Sequence, residues 1–296
     1  MEEAQLSERR RRLAEAMERR GDWPSRSPWI REAVDALPRD RFAPDRLWHW
    51  DGRAYVPVDR STDPRRWADE VYAGPDEGSV TQVTEGLPSS SLSGEAVVVD
   101  MLDSLLVEPG HRVLELGAGT GRNAALLSMR AGPGRVTSVE VDRQLAARAR
   151  ERLRAADIAV DVQVGDGAEG WPEGAPYDRV LATYAVERVP WAWVAQTRPG
   201  GRIVTPWGRL GHVALTVAED GRSATGWVRS CRPGAPTPAS PVHVVPGTGP
   251  RSPLTPPRPA GRWQATQKRR PSEDGRRCRK KLPARHRPSR AGIRAE

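Results

Sequence analysis

Apolar residues recur at helical spacing in some stretches of this chain and in short alternating or continuous runs in others. Leu6, Leu13 and Met17 fall near helical spacing in a charged background and predict a modest amphipathic helix. Residues 1–80 read as a helical and irregular lead-in that packs on the rest. Ser89, Ser90, Ser91 and Ser93 precede an apolar helix through Val97, Val98, Met101, Leu102 and Leu105, a plain N-cap signal, and Pro109 and Gly110 end it. From Val113 to Asp142 the pattern is strand, glycine-rich turn, apolar-faced helix, and a second strand ending in acid. Residues 143–158 form an alanine- and arginine-rich helix. Residues 160–167 alternate as a strand ending in Asp166 and Gly167, and 177–186 is a fourth, buried strand. Residues 190–208 read as a short helix, a Pro-Gly-Gly turn and a fifth strand, and 212–228 as a hairpin turning at Asp220-Gly221. Strands alternating with helices predict an α/β fold over residues 81–230. The sheet is doubly wound and mostly parallel, with helices on both faces and a terminal antiparallel hairpin.

Charge divides the chain differently. The net charge is +9, yet from Cys231 onward 16 Lys and Arg face 3 Asp and Glu, so the preceding residues are mildly acidic. The same segment holds 13 of the 28 prolines and little apolar periodicity, which predicts a disordered basic tail over 231–296. With only Cys231 and Cys278 present, there is no disulfide framework and no Cys/His metal spacing. The charged N-terminus lacks the apolar stretch of a signal peptide, and no segment is long and apolar enough to span a bilayer, so a cytoplasmic protein is expected. Five tryptophans in the lead-in (Trp23, Trp29, Trp48, Trp50 and Trp67) are expected mainly to pack, with a substrate cleft as the alternative.

The chemistry concentrates in VLELGAGTGRNAALLSMRAGPGRVTSVEVD, residues 113–142. Gly117, Gly119 and Gly121 let the backbone turn sharply and approach a ligand. Glu140 ends the second strand, where a βαβ nucleotide site holds ribose hydroxyls. A dinucleotide site requires G-x-G-x-x-G, and the position of its third glycine is Arg122. The pattern present is E-x-G-x-G-x-G from Glu115, which suits S-adenosylmethionine: that ligand brings a sulfonium and an ammonium rather than a pyrophosphate, and Glu115 complements them.

VLELGAGTGRNAALLS, VTSVEVD, VQVGDGAEGWPEGAPYDRVLAT and QTRPGGRIVTPWG, together with LPRDRFAP upstream, resemble the successive motifs of protein-L-isoaspartate O-methyltransferases over residues 30–228. LWHWDG and DEVYAGP are similar to a bacterial branch associated with ATP-grasp peptide maturation, which modifies aspartyl carboxylates of a ribosomally made peptide. The resemblance implies the S-adenosylmethionine-dependent methyltransferase fold and a protein or peptide substrate, with an ATP-grasp ligase system as a further partner. It places Gly117, Gly119 and Gly121 at the cofactor turn, Glu140 at the ribose, Asp166 and Gly167 at the adenine edge, and Ser93 at the active-site hydroxyl. Two departures stand out. Glu95 replaces a proline, and an acid there would repel a carboxylate substrate unless it is paired or faces solvent. The Pro/Arg-rich ending replaces a folded region, as a genuine tail or a frame change.

Methyl transfer to a carboxylate needs no general base, because the acceptor is already ionised at neutral pH. The absence of a Ser-His-Asp or Cys-His pattern fits this. Ser93 reads either as the hydroxyl that orients the substrate carboxylate or as a helix N-cap. Two other functions remain compatible: an RNA (tRNA) methyltransferase anchored by the basic tail, disfavoured by the acidic fold, and a catalytically silent S-adenosylmethionine-binding interaction protein. Arg122 argues against a nicotinamide dehydrogenase.

Overall fold

The computed structural model describes residues 3–207, 211–229 and 242–246. Its N-terminal helix α1 (Glu3–Arg20) buries Leu6, Leu13 and Met17, the three residues that predicted it. α2 (Trp29–Ala36) follows, then β1 (Arg46–Trp50) and β2 (Tyr55–Asp59), α3 (Pro64–Val71), β3 (Ser79–Thr84) and β4 (Leu87–Leu92). These four strands form an antiparallel sheet in the order β2-β1-β3-β4. A helical and irregular lead-in is therefore a misreading of residues 1–80. Strands in this region are only five or six residues long, so their alternation is short, and in β2 it is interrupted by Pro57. The β3–β4 hairpin turns at Glu85-Gly86, both with positive φ, which is the two-residue turn whose twist suits a hairpin.

α4 (Glu95–Leu105) leads into the main sheet, built from β5 (Val113–Leu116), α5 (Arg122–Ala131), β6 (Val136–Glu140), α6 (Arg143–Ala155), β7 (Asp161–Val164), β8 (Tyr177–Ala182), α7 (Trp191–Ala195), β9 (Thr197–Trp207), β10 (Gly211–Val217), β11 (Ala224–Arg229) and β12 (Val242–Val244). The order is β12-β11-β10-β9-β8-β5-β6-β7, parallel from β7 to β9 and antiparallel beyond. The doubly wound α/β sheet and the hairpin at Asp220-Gly221 are as predicted. The Pro-Gly-Gly segment is not a turn ahead of the fifth strand but lies inside β9, where the pairing with β8 shifts register. The tail expected from residue 231 lies outside the described residues except at 242–246, and there β12 pairs with β11 rather than being disordered.

Burial separates the two faces of the sheet. Val113, Val136, Val162 and Leu181 pack with the α4, α5 and α6 layer, over which α1 and α2 lie. Leu114, Leu116, Val180 and Ile203 pack with Trp193 and Val194 of α7. A smaller cluster, including Leu47, Val58, Trp67 and Leu92, holds the lead-in sheet to α3. Among the predicted packing tryptophans, Trp67 is fully buried with its Nε1 donating to the Pro44 carbonyl, while Trp50 is 40% exposed against Tyr55. Among the described residues no helix is long and apolar enough to cross a membrane.

Candidate functional site

Parallel pairing brings the C-terminal ends of β5 and β6 side by side, and the glycine turn departs between them. Gly117 N–H donates to the Val139 carbonyl at 2.8 Å. Gly119, at φ +52°, donates its N–H to Glu140 Oε2 at 2.9 Å. The three glycines answer different needs. A Cβ on Gly117 would lie 2.4 Å from Thr183 Oγ1, and one on Gly121 would press on Leu153 and Ala149 of α6. A Cβ on Gly119 would meet only Ser90 Oγ, at 3.6 Å, so of the three Gly119 is the least crowded.

The acids gather around this turn at different depths. Glu140 is buried, and its Oε1 accepts the Asp142 N–H at 3.1 Å. Asp142 in turn caps α6 through the N–H groups of Gln144 and Leu145. Glu115 faces Ser138 across the β5–β6 pair and takes its hydroxyl hydrogen bond at 2.5 Å on Oε2, while Oε1 is buried with no partner. Full burial pushes the Glu115 pKa up to about 8, opposed by the Ser138 hydrogen bond and reinforced by Glu140. The Gly165 N–H donates to the Glu140 carbonyl, which sets the exposed Asp166 beside the end of β6. Asp166 Oδ1 accepts the Ala168 N–H at 2.9 Å, so it also performs the local capping that Asp-Gly turns commonly show. The set offers acceptors and negative charge beside the turn, which suits a ligand bringing hydroxyls and a positive charge.

Two features of the site were not anticipated. Tyr184, just past β8, spans from the turn to Gly167: a Cβ on Gly117 would lie 3.1 Å from its ring and one on Gly167 2.4 Å from its hydroxyl. Burial raises its pKa, with Asp166 and Glu140 adding to the shift. The β3–β4 hairpin also reaches this end of the sheet. Gln82 Nε2 donates to Asp142 Oδ2 at 3.1 Å, and Thr81 donates to Ser90 Oγ at 3.0 Å beside Gly119. The serines at 89–91 are therefore strand residues and not the N-cap run they were read as. A clue was available in the β-branched alternation of SVTQVT ahead of Glu85-Gly86.

Ser93 stands between β4 and α4, where Gly94 is the N-cap residue, so the capping reading of Ser93 falls away. Its carbonyl accepts Arg39 Nη1 at 2.5 Å, and among the described residues its hydroxyl makes no hydrogen bond. Glu95, the acid expected to trouble a carboxylate substrate, is 1% exposed and points into the protein. Its Oε1 accepts Arg122 Nη1 at 2.9 Å and its Oε2 lies 3.5 Å from Arg39 Nη1, both arginines being 2% exposed. The two residues that depart from their motifs, Glu95 and Arg122, are thus each other's partners.

The profile of the family described as "Protein-L-isoaspartate(D-aspartate) O-methyltransferase (PCMT)" matches residues 10–225. Protein-L-isoaspartate O-methyltransferase 1 of Anaeromyxobacter sp. (strain Fw109-5) is 34% identical over 232 residues, 76% of this chain and 90% of that protein. The enzyme of the same name from Methylorubrum extorquens (strain PA1) is 36% identical over 187 residues, 63% of this chain and 69% of that protein. In structure, a protein-L-isoaspartate O-methyltransferase aligns with a TM-score of 0.51 at 24% identity over 75% of this chain and 63% of that one. A Plasmodium falciparum PCMT in complex with S-adenosyl-L-homocysteine aligns with a TM-score of 0.51 at 13% identity, covering 71% of this chain and 89% of that one. At these identities the two structures bear on the fold alone.

Proposed function

The chain belongs to the protein-L-isoaspartate O-methyltransferase family, and on that premise we propose that it transfers a methyl group from S-adenosylmethionine to the carboxylate of isoaspartyl residues in proteins or peptides. The observation that carries this reading is the meeting of the turn at Gly119 with the carboxylates of Glu140 and Asp166 at adjacent strand ends. S-adenosylmethionine, when bound, supplies the electrophilic sulfonium methyl. In this chain Glu140 would hold the ribose hydroxyls, and Asp166 with Gly167 the adenine edge. Glu115 would offer its unpartnered oxygen to the cationic end of the ligand, as a full negative charge only where the pH exceeds its raised pKa of about 8. Gly117 and Gly121 shape the turn by letting Thr183 and α6 close on it.

Ser93 supplies the hydroxyl that orients the acceptor carboxylate. That carboxylate is ionised near neutral pH and needs no base, so the chain's contribution is alignment, worth up to roughly 7–11 kcal/mol in favourable cases. Glu95 does not confront the substrate, because its charge is held between Arg39 and Arg122.

A matched pair of peptides, one isoaspartyl and one aspartyl, tests the proposal with S-adenosylmethionine as donor. One base-labile methyl on the isoaspartyl peptide alone is expected. Cofactor binding without methyl gain on that peptide would overturn the isoaspartyl reading and redirect the search to a peptide processed by an ATP-grasp ligase.

A further inference from the structure

Arg39 contacts neither the glycine turn nor the acids around it, yet each nitrogen of its guanidinium has a partner. Nε donates to the Val71 carbonyl at 2.9 Å, Nη1 to the Ser93 carbonyl at 2.5 Å, and Nη2 to the Leu92 carbonyl at 3.3 Å and Ser79 Oγ at 3.4 Å. These partners come from the end of α3, the start of β3, and the end of β4 with the turn that follows it. The same turn is gripped from other sides. Ala96 N–H donates to the Pro75 carbonyl at 2.9 Å, and a Cβ on Gly94 would lie 2.7 Å from the Asp76 backbone, so only glycine fits there. Glu95 is fixed by Arg39 and by Arg122, whose Nε donates to the Leu37 carbonyl at 3.1 Å and closes a ring back to the segment that carries Arg39. Between these clamps sits Ser93, with its backbone held and its hydroxyl unengaged among the described residues. A group that must align a reacting atom gains most when its own backbone is fixed beforehand.

We infer that Arg39 is a positioning residue for methyl transfer: it acts through the Ser93 backbone, holding the β4–α4 turn so that the Ser93 hydroxyl meets the acceptor carboxylate in one orientation. The inference rests on the role proposed above for Ser93. Lysine in place of arginine would keep the positive charge but lose the planar fork that reaches three separate segments at once.

The test compares Arg39→Lys, Ser93→Ala and the double variant with wild type, using an isoaspartyl peptide and full-length protein. Each single change is expected to lower kcat by about tenfold or more, with S-adenosylhomocysteine affinity held within about twofold. The double variant should turn over no more than about twofold slower than Ser93→Ala, because residues acting as one unit are not additive. Amide hydrogen exchange gives a readout independent of turnover: in Arg39→Lys the amides of residues 92–96 should exchange about tenfold faster while those of α5 do not change. Unchanged exchange at the turn overturns the inference whatever the turnover shows. So does multiplication of the two losses in the double variant, or a fall in cofactor affinity that parallels kcat. Full activity in Ser93→Ala would overturn the role of Ser93 and this inference together, whereas an impaired Ser93→Ala beside a fully active Arg39→Lys would overturn this inference alone.

Discussion

The glycine turn and the buried ion cluster meet at consecutive residues, Gly121 and Arg122, yet they are built in opposite ways. The turn is made from contiguous chain, and its amides are met from the end of the neighbouring strand: Gly117 by the Val139 carbonyl, Gly119 by the Glu140 carboxylate. Beside it the Glu115 Oε1 atom is buried without a hydrogen-bond partner, as Glu95 Oε2 and Arg122 Nη2 are within the cluster, so orphaned atoms do not tell the two apart. The cluster draws Arg39, Glu95 and Arg122 from three remote segments, and most of its hydrogen bonds close on backbone carbonyls of still other segments. The difference separates a site prepared for something that arrives from a device that organises the protein itself. Mutation should therefore move ligand affinity in the first and stability in the second.

The largest expected effect is at the cluster. Glu95→Ala would leave two buried guanidiniums facing each other without their shared acid, a loss of about 3–5 kcal/mol. A thermal melt should then shift down by on the order of 10 °C. A loss under about 1 kcal/mol would mean that water reaches the cluster, and would erase the contrast with the turn.

Glu115 should behave in the reverse sense. Its folded pKa, about 8, lies above its ordinary value, so the folded chain holds a proton there that the unfolded chain releases. Stability from this group is intact below the ordinary glutamate range and falls as pH rises through about 8. Glu115→Gln is thus expected to stabilise the ligand-free chain by about 1–3 kcal/mol at pH 8.5 and to change little at pH 4.5. At pH 8.5, above that pKa, the same variant should also bind S-adenosylmethionine more weakly, since a cationic ligand there loses a buried counter-charge. Melts at the two pH values, with calorimetry at the higher, check both halves. Destabilisation at pH 8.5 would place Glu115 with the structural cluster instead.

The smallest expected change in energy is at Glu140. Glu140→Ala should weaken S-adenosylmethionine by about tenfold or more, near 1.4 kcal/mol, while the fold survives. Unchanged affinity in calorimetry would sink the assignment of Glu140 to the ribose.

Legibility followed the same division. The strand–turn–helix–strand unit at 113–142 was readable because each signal lies within a few residues of the next: the apolar run, the glycines, the terminal acid. The lead-in sheet was not, because five-residue strands carry little periodicity and the serines at 89–91 mimic a helix cap until the partner strand is known. Tyr184 belonged to an apparently ordinary strand end, and only packing placed it against Gly117 and Gly167.

By itself the sequence determined the α/β class, the order of elements from α4 to β11, the position of the glycine turn and the acids that end β6 and follow β7. These depend on local backbone preference and on the period of burial, which are written along the chain. The tertiary structure alone decided that Glu95 finds Arg122, 27 residues away, and that Arg39 reaches the Ser93 carbonyl from 54 residues away. A buried charge is tolerable only beside its counter-charge, and which charges become neighbours is set by how the helical layers and the lead-in sheet pack together.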